Sequence, residues 1–321
     1  MKKKIVITIL SLLLINFYTN TGLAQNVSLS ISPPILEAVI KPGEVVEQAY
    51  TLQNSGNETT ASIQIYQFEQ ADEFGNAKIE RSLEEYDPLN LKEWFKIKEP
   101  QISIGDKFTL GQGEQKTIRL VINPPDNAPD GDYYFTLIFK TSLENSFINT
   151  NTKTALSQAE IGSNILITIS KEGLVNRKAK IKEFKAPKVI DSFKHLNYEL
   201  QIANIGEGFF KPFGKITIES ILGKKYILNI APQNIISASS RKISCIENER
   251  LIPCQIPAKF LIGPYKATLS FQIEGDKKDY KETVTSFGVP FVILSIIIIS
   301  ALVIILIYRK KLLTNRKDML A

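Results

Sequence analysis

Eight carboxylates fall between residues 69 and 93: Glu69, Asp72, Glu73, Glu80, Glu84, Glu85, Asp87 and Glu93. Only Lys78, Arg81 and Lys92 oppose them. Two such groups facing each other across a cleft would suit glycoside hydrolysis, and several converging oxygens would suit a calcium ion. The spacing matches no calcium loop, and Asp126 to Asp132 lacks the ligand pattern too, so the stretch reads as a solvated acidic loop. His195 would have to be the base of any Ser-His-Asp or Cys-His site. It lies in Phe193-Lys194-His195-Leu196, out of phase with Leu196, Tyr198, Leu200 and Ile202. That puts it on a polar face with Asn197, Glu199 and Gln201, and no nucleophile motif accompanies it. One His and two Cys exclude multi-histidine and four-thiolate zinc sites. No catalytic, cofactor-binding or metal residue is assigned.

Trp94, with Phe95, Tyr86, Phe74 and Phe68, offers ring faces that stack on sugars, but a lone Trp beside an alternating strand is more often a core anchor. Cys245 and Cys254 bracket a polar loop in CIENERLIPC. In an exported chain they are expected to form a disulfide, with two buried thiols as the alternative. Ser142 to Gly162 is rich in Ser, Asn and Thr and long for a hairpin loop, which leaves it either unstructured or functional.

The elements that must carry these residues are strands. Period-two alternation runs through Val46–Leu52, Ile63–Ile65, Ile118–Ile122, Tyr133–Phe139 and Ile165–Ile169, and again through Leu196–Ile202, Ile216–Ile218 and Thr268–Ile273. Turn clusters such as Lys41-Pro42-Gly43, Asn54-Ser55-Gly56-Asn57, Asp130-Gly131-Asp132 and Gly206-Glu207-Gly208 separate them. AYTLQNSGNETTASIQI, from Ala49, resembles ELQIANIGEGFFKPFGKITI, from Glu199. PPDNAPDGDYYFTLIFK likewise resembles IPAKFLIGPYKATLSFQI, where Gly-x-Tyr opens a strand. The pattern predicts an all-β chain of two tandem immunoglobulin-like β-sandwiches, the first enlarged by the acidic stretch.

Both ends point to a membrane. Lys2-Lys3-Lys4, an apolar run from Ile5 to Ile15 and Gly22-Leu23-Ala24 predict a secretory signal cleaved after Ala24, with an uncleaved anchor as the alternative. No Cys follows the site to take a lipid. Phe287 to Tyr308 carries no charge, and 22 residues reach about 33 Å as a helix, enough to cross a bilayer. Arg309-Lys310-Lys311 follows, which places the tail on the cytoplasmic side. The basic ends also account for the net charge of +6. Without Lys2, Lys3, Lys4, Arg309, Lys310, Lys311, Arg316, Lys317 and Asp318, 31 bases meet 32 acids, so no polycationic surface remains for nucleic acid. The layout is signal peptide 1–24, first domain 25–173, second domain 174–286, transmembrane helix 287–308 and cytoplasmic tail 309–321.

Lys41-Pro42-Gly43-Glu44 stands before a strand, Asn54-Ser55-Gly56-Asn57 after it, and Phe74-Gly75-Asn76-Ala77 follows. Leu110-Gly111-Gln112-Gly113-Glu114 and Pro124-Pro125 with Gly131-Asp132-Tyr133 complete the set. In these motifs and in its layout the chain resembles the WxL-interacting protein family of bacterial cell-surface proteins. The resemblance implies a signal peptide, a peptidoglycan-binding sandwich, a second sandwich labelled host-binding, a membrane helix and a basic tail. The cysteine pair departs from that family.

The expected function is that of a non-enzymatic, membrane-anchored surface protein. Its ectodomain would bind cell-wall polymer or another surface protein, with recognition on the first domain's extra loops. The alternative is an exported carbohydrate-active hydrolase or accessory protein using residues 69–93, which requires two of those carboxylates to face each other in a cleft with perturbed pKa values. A pilus-type chaperone shares the two-sandwich layout but would be a soluble product, which the membrane helix opposes.

Overall fold

The computed structural model describes residues 28–85, 87, 89–142, 159–173, 175–258 and 260–318. The signal sequence expected over 1–24, Tyr86, residues 143–158 of the polar stretch and the last three residues of the tail lie outside the described residues.

The N-terminal half contains β1 (Leu29–Ser32), β2 (Ile35–Ile40), β3 (Val46–Asn54), β4 (Thr59–Gln70), β5 (Ala77–Ser82), β6 (Phe95–Ile97), β7 (Lys107–Leu110), β8 (Gln115–Ile122), β9 (Gly131–Ser142) and β10 (Glu160–Ile169). They form two facing sheets, β1-β3-β8-β6 and β2-β10-β9-β4-β5, with β7 also on β4. Alternation sets the inward residues: Tyr50, Leu52, Ile118 and Leu120 from one sheet meet Ile63, Ile65, Phe135, Leu137 and Ile165 from the other. Burying each such side chain contributes about 1.5–3 kcal/mol, before the entropy of ordering it.

The C-terminal half contains β11 (Ala179–Lys185), β12 (Val189–Asp191), β13 (Leu196–Asn197), β14 (Glu199–Asn204), β15 (Pro212–Ser220), β16 (Lys225–Ile230), β17 (Ser240–Lys242), β18 (Cys245–Glu247), β19 (Arg250–Ile252), β20 (Gln255–Ile256), β21 (Gly263–Ile273) and β22 (Asp276–Val289). The sheets are β11-β14-β17 and β12-β22-β21-β15-β16-β18-β19, with a short β13–β20 pair beside them. A second cluster of buried residues, including Leu200, Ile202, Ile216, Ile218, Leu269 and Phe271, lies between them.

The two halves repeat one strand order. β1-β3-β8 corresponds to β11-β14-β17, and β2-β10-β9-β4-β5 to β12-β22-β21-β15-β16. In each, the short second strand lies parallel to the last one, β2 on β10 and β12 on β22, while the other paired strands run antiparallel. The weak sequence repeat therefore reports a repeated topology.

Helix α1 (Phe291–Asp318) follows β22 after Pro290 alone. It starts later than the expected 287 because Phe287 and Gly288 are still paired, with Pro264 and Gly263 on one side and Val189 and Ile190 on the other. The window Phe291–Lys310 is long and apolar enough to cross a membrane, and none of it is buried. The helix also runs on through part of the expected tail.

Candidate functional site

The acidic stretch is not one loop. Glu69 lies in β4 one residue before its end, Glu80 lies in β5, and the intervening turn is built by Asp72. Asp72 Oδ1 accepts from the backbone N–H of Phe74 at 2.9 Å and of Asn76 at 3.1 Å, and Oδ2 accepts from Asn76 Nδ2 at 2.6 Å. The Asn76 side-chain bond is the main reason the Asp72 carboxyl titrates below its usual range. Lys78 bonds Glu69 at 2.7 Å and Glu80 at 3.1 Å, and its hydrogen bond lowers the Glu69 pKa. Asp87 caps a short 3-10 helix (Leu91–Trp94), accepting from Leu91 N and Lys92 N at 2.7 and 2.6 Å. Glu84, Glu85 and Glu93 are exposed. Five of the carboxylates thus serve local turns, caps or lysines, or, in the case of Glu73, the other half. Among the described residues no group of three His, Cys, Asp or Glu side chains converges as a metal site would require.

Glu73 instead reaches the C-terminal half. The β4–β5 turn docks on the edge of β17. Gln70 Nε2 donates to Ser240 O at 2.7 Å, Lys242 N donates to Glu73 O at 2.6 Å, and Lys242 Nζ pairs with the Glu73 carboxylate. Lys242 Nζ also lies 5.4 Å from the centre of the exposed Phe74 ring. An edge strand that would offer free N–H and C=O groups is covered this way. Beside this contact, Glu37 on β2 accepts from Lys211 Nζ at 2.7 Å and from Asn234 Nδ2 at 2.6 Å. A cavity of about 210 Å³ lies here, lined by Phe68, Gln70, Asn76, Asn164, Asn234 and Arg241 among others. No carboxylate lines it.

Deeper in the junction, Asp132 at the start of β9 accepts hydrogen bonds from Thr168 Oγ1, Tyr134 Oη and the Phe209 backbone. Tyr134 Oη in turn accepts from Ser237 N at 2.9 Å. Burial raises the Asp132 pKa, opposed by those bonds and by the nearby charge of Arg177. Burial beside the ionised carboxylate also pushes the Tyr134 phenol up. A second cavity, of about 290 Å³, opens next to this network between Asp130, Thr168, Val175, Asn176 and Glu207.

Trp94 is 5% exposed and packs its ring 4.8 Å from Tyr133, while Phe95 packs 4.8 Å from Phe135; both are core residues. His195 is exposed, as are Asn197 and Glu199. Gln201 departs from the expected polar face: β17 covers it, and its Nε2 donates to Ser240 Oγ at 3.1 Å. Cys245 and Cys254 are joined by a disulfide between the β18–β19 hairpin and the segment that follows it. In the polar stretch, Ser142 still belongs to β9, and Glu160 to Gly162 already pair with Lys140 to Ile138. The contacts between halves had no sequence signal, since Glu37 and Lys211 are 174 positions apart.

No protein-family model matches the chain, and no curated protein matches it. Similar solved structures include the class 5 fimbriae chaperone CfaA, at 13% identity and TM-score 0.37, covering 82% of this chain and 100% of that one. The E. coli chaperone DraB is 12% identical, TM-score 0.38, over 80% and 98%. The Salmonella enterica SafB chaperone, solved with the SafA pilin, is 10% identical, TM-score 0.38, over 82% and 98%. At such TM-scores these likenesses carry no argument about this chain.

Proposed function

We propose that the chain is a non-enzymatic, single-pass cell-surface protein: two tandem immunoglobulin-like domains outside the membrane, α1 across it and a short basic end inside. The ectodomain binds a surface protein or cell-wall polymer, as the resemblance to WxL-interacting proteins implies. The observation that carries the reading is α1, wholly unburied over Phe291–Lys310 and leaving the last strand with one residue between. An apolar helix with no protein face to cover it is satisfied in hydrocarbon. Arg309-Lys310-Lys311 at its far end supports an outward ectodomain. The local use of the acidic side chains of residues 69–93, none of whose carboxylates lines either junction cavity, supports binding over hydrolysis at that stretch.

The test uses the full chain in detergent, offered purified cell wall in one arm and solubilised surface proteins in the other. Retention in either arm is expected, without release of wall fragments. Hydrolysis that disappears in Glu84→Gln or Asp87→Asn would replace binding with the enzyme reading. Protease added to intact protoplasts should remove the ectodomain and spare the tail; a protected ectodomain would reverse the orientation.

A further inference from the structure

We infer that the end of the C-terminal half from which α1 departs is itself a lipid-contacting surface, seated in the outer headgroup region of the bilayer. It rests on the reading that α1 spans the membrane.

Three loops meet at this end. One follows β12, one precedes β21, and one joins β15 to β16. They are tied to the last strand before the helix, to one another and to β21: Ser192 N donates to Val289 O at 3.0 Å, Leu261 N to Ser192 O at 2.8 Å, and Ile221 N to Pro264 O at 3.2 Å. Gly288 sits so close to this layer that a Cβ there would lie 2.5 Å from Leu261 O. Each loop presents large apolar side chains to the outside. Phe193 is 50% exposed, Phe260 43%, Ile262 39%, Ile221 72% and Leu222 63%. Phe193 and Phe260 pack against each other across two loops, ring centres 5.5 Å apart. Phe260 does so with φ of 55°, a left-handed conformation unfavourable for a bulky residue and therefore imposed by its surroundings. Exposed Lys194 and Lys224 lie on the same loops, placed to meet anionic headgroups.

The occupant follows from the chain path. Pro290 alone separates Val289 from Phe291, two residue steps with a reach of at most about 7 Å, so these loops cannot stand clear of a bilayer that α1 enters. Apolar groups so held sink about 5–10 Å into the headgroup and acyl boundary, and lysines beside them remain in the polar layer. The matching end of the N-terminal half, which abuts protein, shows the opposite composition. Its turns there are Lys41-Pro42-Gly43-Glu44 and Asp72-Glu73-Phe74-Gly75. Seating three loops beside the helix would fix the tilt of the ectodomain over the membrane.

The test reconstitutes the full chain in vesicles of phosphatidylcholine and phosphatidylglycerol with brominated or ordinary acyl chains. Native Trp94 is buried in the N-terminal half and supplies the unquenched background. Trp is added singly by Ile298→Trp in the helix, Phe193→Trp or Phe260→Trp in the loops, and Phe213→Trp at the opposite end of β15. Brominated lipid should cut the added emission about twofold or more at 298, 193 and 260, as for groups at interfacial depth or below, and leave 213 unaffected. Quenching at 298 without quenching at 193 and 260 overturns the inference while the span stands. No quenching at 298 removes the span and the inference with it. Quenching at 213 as well would mean that the ectodomain lies on its side, which also overturns it.

Discussion

Asn54 and Asn204 occupy the same corner of their two halves. Both are buried, and each side-chain carbonyl accepts from a glycine N–H two residues on, Gly56 and Gly206, at 2.9 Å. Asn54 Nδ2 donates to the carbonyls of Asn57, Leu110 and Gly111; Asn204 Nδ2 donates to those of Gly208 and Ile235. The framework is thus shared down to one buried amide, and the halves differ where they meet something else. The opening of the equivalent strands shows it: Gly131-Asp132-Tyr133 in β9 and Gly263-Pro264-Tyr265 in β21. In the first, the middle residue is a carboxylate networked into the other half; in the second, a proline at the end that faces the helix. One strand order carries a polar end where it docks on protein and an apolar end where the chain leaves for the long apolar helix α1.

The corner amides give the largest effects expected. Asn54→Leu leaves three carbonyls and one N–H without their side-chain partner, Asn204→Leu two and one. With buried polar groups costing about 1–3 kcal/mol each and partial rearrangement, the losses should be about 4 and about 3 kcal/mol. Amide hydrogen exchange should rise first in β3 and β8 for the one and in β14 and β17 for the other. Equal loss of protection in both halves from either substitution would mean that they open as a single unit.

The halves also differ in how they hold the chain beyond the fifth strand of the repeated sheet. The N-terminal half packs Leu91 and Trp94 there, whereas the C-terminal half has the Cys245–Cys254 bridge, spanning 9 positions. Closing so short a loop contributes about 2–3 kcal/mol through the unfolded chain. The double variant Cys245→Ala/Cys254→Ala should lower the stability of the C-terminal half by that amount and leave exchange in β3 and β8 unchanged. A shift in both halves would extend the influence of the bridge across the junction.

Much of this framework was legible in the sequence because alternation is local. Val46–Leu52, Tyr133–Phe139 and Leu196–Ile202 turn inward the side chains that their period predicts, with Val46 and Tyr133 half-buried at the edge of the core and the rest buried, and Asn-x-Gly marked both corners. Short strands escaped: β12 has three residues, of which only Ile190 is buried, and its pairing with β22 is nearly 100 positions away. The acidic stretch read as a solvated loop because its charges hide a hairpin, β5, whose residues from Ala77 to Arg81 are all exposed. Its docking on β17 depends on backbone groups of Ser240 and Lys242, which no residue type announces. The apolar ring at the other end was equally hidden, since its members come from three loops joined only by the fold.

The smallest effect expected is a pH dependence confined to the polar junction. Burial raises the Asp132 pKa in the folded chain above its unfolded value, the hydrogen bonds from Thr168 and Tyr134 and the charge of Arg177 offsetting part of it. Between the two values the folded state binds more protons than the unfolded one, so stability falls as pH rises through that window. Below the unfolded carboxyl pKa, about 3.9, this group adds no penalty, and above its raised folded pKa the penalty is complete. The same rise in pH ionises Asp72, Glu69 and Glu114, whose lowered pKa values act in the opposite sense and reach completion earlier. The Asp132 contribution therefore has to be read as a difference. Urea unfolding of the wild type and Asp132→Asn, followed from pH 4 to 7, should show the wild type losing stability relative to the variant as pH rises. The divergence should be seen in exchange at β9 and at Ser237, whose N–H bonds Tyr134 across the junction. The C-terminal half has Pro264 at the equivalent position and nothing there to titrate, so β21 should show no such divergence. Parallel curves for the two proteins would remove Asp132 as the source and make the junction indifferent to pH.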